Sequence, residues 1–342
     1  MELVKVLNKF IPDTRDAEIS TFGNGLIHGS FLVCINNKQE FILQQLNTTV
    51  FKNPYLISSN LALLSKHLLS NNQEPFFPLS INSLSNDSYV IDQDKYYRLT
   101  PYVKGSHSIN SCSTAEEAYE ASFQFGRFTA AFKSFDPAQL RETIPQFHDL
   151  AFRWKQFMDA LKMGNQQRIK YAKKEIDQIR DYYHIVEKFN KIKSSNSFLE
   201  RVTHHDTKIS NVLFTNDGKG ICVIDLDTVM AGYFISDVGD MFRTYLSSAN
   251  EEEQDLDKVE ARKDFYNAII EGYLINMQDQ MTVEERQNIS FAGEFIIYMQ
   301  ALRFITDFIN DDIYYGTSYE LNNYNRTKNQ LRLLEHFNSI LN

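Results

Sequence analysis

The sequence predicts an α+β protein of two lobes, a small β-rich part with one main helix followed by a larger helical part. Three observations predict it. Short strand patterns separated by turn residues occupy the chain up to residue 103. Beyond residue 104 the apolar spacing changes to helical periodicity. A polar loop and hairpin at residues 204–227 interrupts those helices and gathers oxygen-bearing side chains. Strands first and helices afterwards is the order of an α+β chain rather than an alternating one. The expected parts are residues 1–103 and 104–342.

Composition narrows the class. With 342 residues, 43% hydrophobic and 23% charged, the chain has the balance of an ordinary soluble protein. A net charge of −9 argues against broad binding to nucleic acid or anionic membrane, but not against a phosphate ligand handled by local groups. The three cysteines, Cys34, Cys112 and Cys222, are widely spaced and form no C-x-x-C, so a disulfide framework or zinc site is not expected. No apolar run approaches the ~18 residues of a membrane span. The N-terminus lacks a charged segment followed by a sustained apolar one. The expectation is a cytoplasmic protein with no evident need for a protein partner.

Taken in order, residues 2–11 read as a short amphipathic helix ending at Pro12. Residues 18–22 and 30–35 read as strands joined by a turn containing Gly23, Asn24 and Gly25, followed by His28. Little side-chain bulk at such a tip lets backbone N–H groups approach phosphates. Residues 41–46 form the next strand and carry Gln44. A helix is expected over 54–69, with Pro54 near its start and no Asp or Glu anywhere from 48 to 73. Strands over 88–91 and 96–103 lead into the polar connector 104–108, with Pro101, Tyr102 and Val103 at its edge. Helices are then expected over 114–133, capped by Ser113 or Thr114, and over 149–161, 168–191, 257–276, 282–306 and 318–340.

The stretch 204–227 carries the chemistry. Val212-Leu213-Phe214 and Ile221-Cys222-Val223-Ile224 flank the turn Asn216-Asp217-Gly218-Lys219-Gly220. Folding about Gly218 brings Asn211 and Asp225 to one end of the ribbon, near Asp206 on the preceding loop. Such oxygen ligands suit a hard cation such as Mg²⁺, which keeps positions for water and phosphate. The spacing His204-x-Asp206-x-Lys208-x-x-Asn211, then Asp225, is that of the kinase catalytic loop and metal aspartate. In that frame Asp206 is the base, and Asn211 and Asp225 are metal ligands, with Asp227 sharing the metal or holding the loop. Gly23, Asn24 and Gly25 cover phosphate, and adenine meets the backbone of Pro101, Tyr102 and Val103. Gln44 stands where a phosphate-binding lysine is expected, and the partner glutamate is missing from the next helix as well. Losing both together is coherent, because either charge alone is costly in a half-buried cleft. Gln44 is expected to donate its amide to a phosphate, and Lys208 to reach the γ-phosphate. Asp237, Asp240 and Arg243 read as braces for the loop.

These residues resemble the small-molecule branch of the protein-kinase-like fold, which includes aminoglycoside phosphotransferases and choline kinases. The chain has HHDTKISN and VIDLD, with His205 where that branch has glycine. Within it, FGNGLIHGSF, FILQQLNTTVFKNP, YYRLTPYVKGSHS, IPQFHDL, VIDLDTVMAG, SDVGDMFR and the segment from Arg303 to Leu334 resemble N-acetylhexosamine 1-kinases. Ala231 and Lys104 depart from that pattern, standing where proline and an acid are common. The resemblance implies ATP and Mg²⁺ as cofactors and a sugar whose anomeric hydroxyl meets Asp206. It also implies His28, Arg303 and Tyr314 as sugar contacts, joined here by the neighbouring Tyr315. Two other readings stand beside it. One is the same fold acting on choline, an aminoglycoside or a hydroxy amino acid, with Asp307, Asp311 and Asp312 supplying an acidic pocket. The other is a nucleotide-binding pseudokinase.

Overall fold

The computed structural model describes residues 2–23, 28–36 and 38–341. The class is the mixed α+β expected, and the chain divides into two compact units. The first comprises Met1–Ser106 together with two later segments, Ala138–Pro145 and Ile224–Met230.

In the first unit α1 (Glu2–Leu7) precedes strands β1 (Ala17–Thr21), β2 (Gly29–Ile35) and β3 (Gln39–Leu46). After these come α2 (Pro54–Ser70), β4 (Val90–Asp92) and β5 (Lys95–Pro101). The five strands form one antiparallel sheet in the order β1-β2-β3-β5-β4. Strand alternation gives this sheet two different faces. Val33, Leu43 and Leu99 pack with Val6, Leu7 and Phe10 of the α1 region into the core. Residues one position along point the other way, and the register sets Ser30 opposite Gln44 and Gln44 opposite Arg98. A polar row therefore crosses three strands on the non-core face.

Helix α2 starts where Pro54 follows the cap Asn53, whose side chain accepts from the Tyr55 N–H. Its inward face carries one buried polar residue, Asn60, at 1% exposure. The Asn60 amide donates to the carbonyls of Arg141 (2.8 Å) and Val229 (2.9 Å). Its oxygen accepts the Arg141 N–H at 2.8 Å. One side chain thus holds both distant segments in this unit.

A two-residue strand β6 (Ser106–His107) marks the end of the N-terminal stretch. The second unit comprises His107–Pro137, Gln146–Val223 and Ala231–Asn342. Its helices begin with α3 (Ala115–Ala131), α4 (Leu150–Met163), α5 (Gln166–Tyr171), α6 (Lys173–Asp181) and α7 (Tyr183–Lys193). Strands β7 (Arg201–Thr203), β8 (Val212–Thr215) and β9 (Gly220–Val223) follow. Helices α8 (Phe234–Tyr245), α9 (Lys263–Met277), α10 (Val283–Gln287), α11 (Phe291–Ile309) and α12 (Asn322–Leu341) complete it. Thr114 caps α3 in a reciprocal box with Glu117. Helices α3 and α9 approach closely through Gly126 and Gly272. A Cβ on Gly126 would lie 2.7 Å from the Tyr273 carbonyl, and one on Gly272 would lie 2.3 Å from the Tyr119 carbonyl. Helix α11 is almost wholly buried and packs against α4, α8 and α12.

Several expected boundaries move. The helix expected over 168–191 is three pieces, α5, α6 and α7, broken at Ala172 and Tyr182. The helix expected over 282–306 splits into α10 and α11, and the last helix starts at Asn322 rather than residue 318. β5 ends at Pro101, so Tyr102 and Val103 lie beyond the strand. The breaks inside the helices expected over 168–191 and 282–306 carry no Gly or Pro, and the apolar period continues through them. Among the described residues no helix is long and apolar enough to cross a membrane, and the three cysteines are free.

Candidate active site

In the second unit the loop after β7 presents Asp206. Its geometry is imposed from behind by α8. The Asp237 carboxylate accepts the N–H groups of His204 (3.0 Å) and His205 (2.7 Å), and Asp240 accepts that of Thr207 (2.8 Å). The Tyr245 hydroxyl donates to the Thr207 carbonyl at 2.5 Å, and Arg243 Nε donates to Asp240 at 3.1 Å. Asp237, Asp240 and Arg243 thus brace the loop, and α8 holds the turn through consecutive backbone groups. Burial, aided by the charges of Asp240 and Asp206, pushes the Asp237 carboxyl up to about 7 despite the two N–H donors.

The Asp206 carboxylate accepts from Lys208 Nζ and from Asn211 Nδ2, both at 3.0 Å. Asn211 also donates to the Asp206 carbonyl at 2.9 Å, which closes the loop on itself. Burial works to raise this carboxyl. The Lys208 ammonium, with His204 and Asn211, outweighs it and holds Asp206 below the usual carboxylate range. The hairpin that follows pairs Val212 with Val223, but its register shifts between Leu213 and Phe214. The symmetric fold about Gly218 expected from the sequence is therefore offset at the open end by this bulge.

His205 occupies the left-handed region at φ 66°. Its ring is buried, with Nδ1 3.4 Å from His148 Nδ1 and Nε2 3.4 Å from the Ala231 carbonyl. Burial lowers its pKa to about 4. Gly232 makes room for it, since a Cβ there would lie 2.5 Å from the imidazole Cε1. His148 stacks on Phe147 (4.5 Å between centroids), and the Arg303 guanidinium lies over the same Phe147 ring at 5.6 Å. Arg303 also lies over Tyr315 (5.3 Å) and Tyr314 (5.9 Å) and donates to Gln300 at 3.3 Å. A continuous wall of rings thus runs from His205 to Arg303. There a cavity of about 330 Å³ is lined by Arg153, Gln156, Asp159, Arg303, Thr306 and Tyr314 among others. Arg153 bonds Gln156 and the carbonyls of Gln146 and Phe147, so the direct partners of both guanidiniums are neutral. Burial and the nearby Arg303 lower the Arg153 pKa to about 10.

The three C-terminal aspartates considered for a cation are engaged. Asp307 accepts the N–H groups of Tyr314 (2.8 Å) and Tyr315 (2.9 Å) and the Asn323 amide (3.1 Å). Asp312 pairs with Arg168 at 2.5 Å. Asp311 accepts from Asn165 at 2.8 Å and lies 3.5 Å from Arg168.

In the first unit the residues on the non-core face of the sheet meet the segment Ile224–Met230. Asp225 adopts the left-handed conformation (φ 61°, ψ 57°). It turns the chain into a single 3₁₀ turn, Leu226–Thr228, that buries Asp227 at 1% exposure. One Asp227 oxygen meets Arg98 and the other lies 2.7 Å from His28 Nε2. His28 Nδ1 accepts the Asn47 N–H at 3.0 Å, so Nε2 carries the proton and donates. Burial works to raise the Asp227 carboxyl, but Arg98 and His28 bring it down to about 2. Ligand atoms of His28, Asp225 and Asp227 all lie within 4.8 Å of one another. The His28 tautomer leaves no lone pair for a metal, and the two Asp227 oxygens are met by Arg98 and His28. Asp227, expected to share the metal or hold the loop, is thus engaged within the fold, and a cation here would rest on the Asp225 carboxylate. A carboxylate oxygen suits a hard divalent cation such as Mg²⁺.

Other expected positions fall as follows. Gly23 has φ 71° with open space where a Cβ would stand, while Asn24 and Gly25 lie outside the described residues. His28, expected on a sugar, is 8% exposed and has both ring nitrogens occupied. Gln44, expected to donate to phosphate, instead donates to Ser30 Oγ (3.1 Å) and accepts from Arg98 Nε (2.9 Å). The Tyr102 N–H goes to the Glu40 carbonyl at 3.1 Å, and the Val103 carbonyl accepts from Ser106 at 2.6 Å. Sequence reasoning missed Arg98, Asn60, His148 and Arg153. Only Arg98 left a signal, a charged residue between the apolar Tyr97 and Leu99 in the interior of a strand.

The phosphotransferase enzyme family model matches residues 60–273, more than half of the chain. Among solved structures, a microcompartment-associated aminopropanol kinase is similar at 16% identity and a TM-score of 0.63, over 98% of this chain and 96% of that one. A choline kinase from Cryptosporidium parvum is similar at 14% identity and a TM-score of 0.60, over 99% and 95%. A spectinomycin phosphotransferase, solved with ADP and spectinomycin, is similar at 12% identity and 0.59, over 98% and 97%. At these identities the likeness is one of fold.

Proposed function

The chain belongs to the phosphotransferase enzyme family of small-molecule kinases, and within it we propose a specific reaction. The protein transfers the γ-phosphoryl group of ATP, with Mg²⁺, to the anomeric hydroxyl of an N-acetylhexosamine (N-acetylglucosamine or N-acetylgalactosamine), giving the sugar 1-phosphate. The charge around the Arg303 cavity carries the choice of acceptor. Two guanidiniums with neutral partners stand against Asp159 and an Asp307 whose oxygens are already bonded. That wall offers no net negative field to a cation such as choline, and it suits a neutral, oxygen-rich ligand. The rings of Tyr314 and Tyr315 beside Arg303 provide apolar surface for a sugar face.

Asp206 positions the acceptor hydroxyl and takes its proton. An anomeric hydroxyl is more acidic than an ordinary alcohol, so a carboxylate held ionised by Lys208 and Asn211 suffices. The motif assigns Mg²⁺ to Asp225 as a carboxylate ligand and to Asn211 as an amide oxygen ligand, and the nearness of the Asp225, Asp227 and His28 ligand atoms supports a cation in that place. The ion, when bound, neutralises charge on the transferring phosphates. Phosphoryl transfer asks mainly for positioning and charge neutralisation, and the bracing from α8 supplies positioning. The ADP in the related spectinomycin phosphotransferase agrees with an adenine nucleotide as donor.

The test is ADP release with a panel of hexoses, N-acetylhexosamines, choline, ethanolamine and aminoglycosides, with the product's phosphorylated position read by NMR. The expected outcome is turnover with an N-acetylhexosamine and phosphate on the anomeric carbon. Turnover confined to cationic acceptors, or phosphate on another hydroxyl, overturns the assignment.

A further inference from the structure

Kinase sites of this kind place a lysine on the third strand and pair it with a glutamate on the following helix. Here β3 has Gln44, and α2 has no acidic residue at all, its buried polar position being Asn60. A cation nevertheless lies in the same row. The register sets Arg98 of β5 directly opposite Gln44, and Arg98 Nε donates to the Gln44 oxygen at 2.9 Å. Gln44 in turn donates to Ser30 Oγ on β2, which fixes the amide with its oxygen turned to the guanidinium. The other end of that guanidinium is paired with Asp227, with side-chain exposures of 9% and 1%. Asp227 follows Asp225 by two residues, inside the turn whose left-handed start is Asp225 itself. His28 fills the remaining Asp227 oxygen.

Resting on the kinase reading above, we infer that Arg98 is the positioning cation of the nucleotide and metal site, and that the buried Arg98–Asp227 pair does the work of the missing lysine–glutamate pair. In the usual arrangement the ion pair joins strand to helix. Here it joins the strand to the segment bearing the metal carboxylate, and helix α2 is tied to that same segment by the neutral Asn60–Val229 bond. Arg98 acts through Asp227. It holds the Asp227 carboxylate in place from one side while His28 holds it from the other, so that the Asp225 side chain two residues away is presented in one orientation. Gln44 serves as the clamp that aims the guanidinium, which explains why an amide stands at this position. An amide accepts from an arginine, whereas a lysine in its place would repel it.

The test compares wild type, R98M, R98K, D227N and R98M/D227N by calorimetric binding of AMP-PNP with Mg²⁺ and of ADP in EDTA, with thermal unfolding as a control. If Arg98 positions the metal carboxylate, R98M weakens Mg²⁺-dependent AMP-PNP binding by about tenfold or more and leaves metal-free ADP binding within about threefold. R98K, which keeps the charge but not the fork that spans Gln44 and Asp227, falls between. In the D227N background R98M has little further effect, because the interaction it removes is already gone. Should R98M fail to fold, R98K and D227N carry the same comparison. The double variant Q44K/R98M, which moves the cation to the opposite strand, recovers part of the Mg²⁺-dependent affinity. Unchanged Mg²⁺-dependent affinity in folded R98M, or equal losses from R98M with and without D227N, overturns the inference while leaving the kinase reading intact. Wild-type protein that binds no nucleotide removes both.

Discussion

At the scale of single residues, Asp206 and Lys208 form one functional group. The Lys208 ammonium 3.0 Å from the carboxylate is the largest influence opposing burial, and it keeps Asp206 ionised. Removing it by K208M lets burial act and raises the Asp206 pKa. The acid limb of the kcat/KM profile for the acceptor therefore moves to higher pH, and a profile that keeps its limb in place refutes the coupling. D206N keeps the shape of the loop but cannot take a proton, so it should lower kcat by about 10²–10⁴-fold with nucleotide binding retained. Turnover near that of the wild type excludes Asp206 as the base. Both positions stand out in the sequence because the loop is contiguous and 204–211 carries its spacing on its face, but Lys208 was expected to reach the γ-phosphate and its pairing with Asp206 was not foreseen. The partners of Asp227 were not legible. His28 and Arg98 lie far from it in sequence, and no local pattern announces a pair made by tertiary packing. His28 was singled out for a different reason, as a sugar contact, and its bond to Asp227 shows why a histidine in a glycine-bearing turn cannot be assigned from position alone.

At the scale of elements, α2 shows how much one buried polar side chain does. Asn60 satisfies two carbonyls and one N–H that otherwise face the interior. N60A strands those groups and should cost about 2–3 kcal/mol, by the penalty for unpaired buried polar groups. N60D should cost more, because it sets a second oxygen against the carbonyls of Arg141 and Val229. Urea denaturation measures both, and hydrogen exchange should show faster opening at 224–230 in each variant. Equal stability of N60A and wild type would show that water replaces the amide. The strands and most helices were readable because alternation and helical period are local signals. The division of the helix expected over 168–191 was not, since Ala172 and Tyr182 fit the apolar period and carry no breaker chemistry. The hairpin bulge between Leu213 and Phe214 was equally silent, because inserting one residue leaves the turn signal at Gly218 unchanged.

At the scale of the whole molecule, stability should depend on pH through groups buried in the second unit. His205 is held neutral by burial, with its pKa lowered to about 4, and His148 beside it is lowered for the same reason and because a second protonated ring there would repel a protonated His205. Below the ordinary histidine value the unfolded chain binds protons that the folded chain does not. Stability therefore falls as pH is lowered from about 6.5 to about 4, by up to about 3 kcal/mol for His205. Asp237 works in the opposite sense. With its carboxyl raised to about 7, its contribution is fully present below the unfolded carboxylate value and is lost as pH rises through about 7. The net slope of the wild type mixes the two. H205N separates them, because asparagine tolerates the left-handed backbone at φ 66° and carries no titrating ring. The free-energy advantage of wild type over H205N, from urea midpoints at several pH values, should shrink steadily from pH 7 to pH 4.5. A constant difference across that range would mean that His205 is protonated in the folded protein as readily as in the unfolded chain. Its imidazole would then have to face water, contrary to its enclosure by His148, Gly232 and the Ala231 carbonyl.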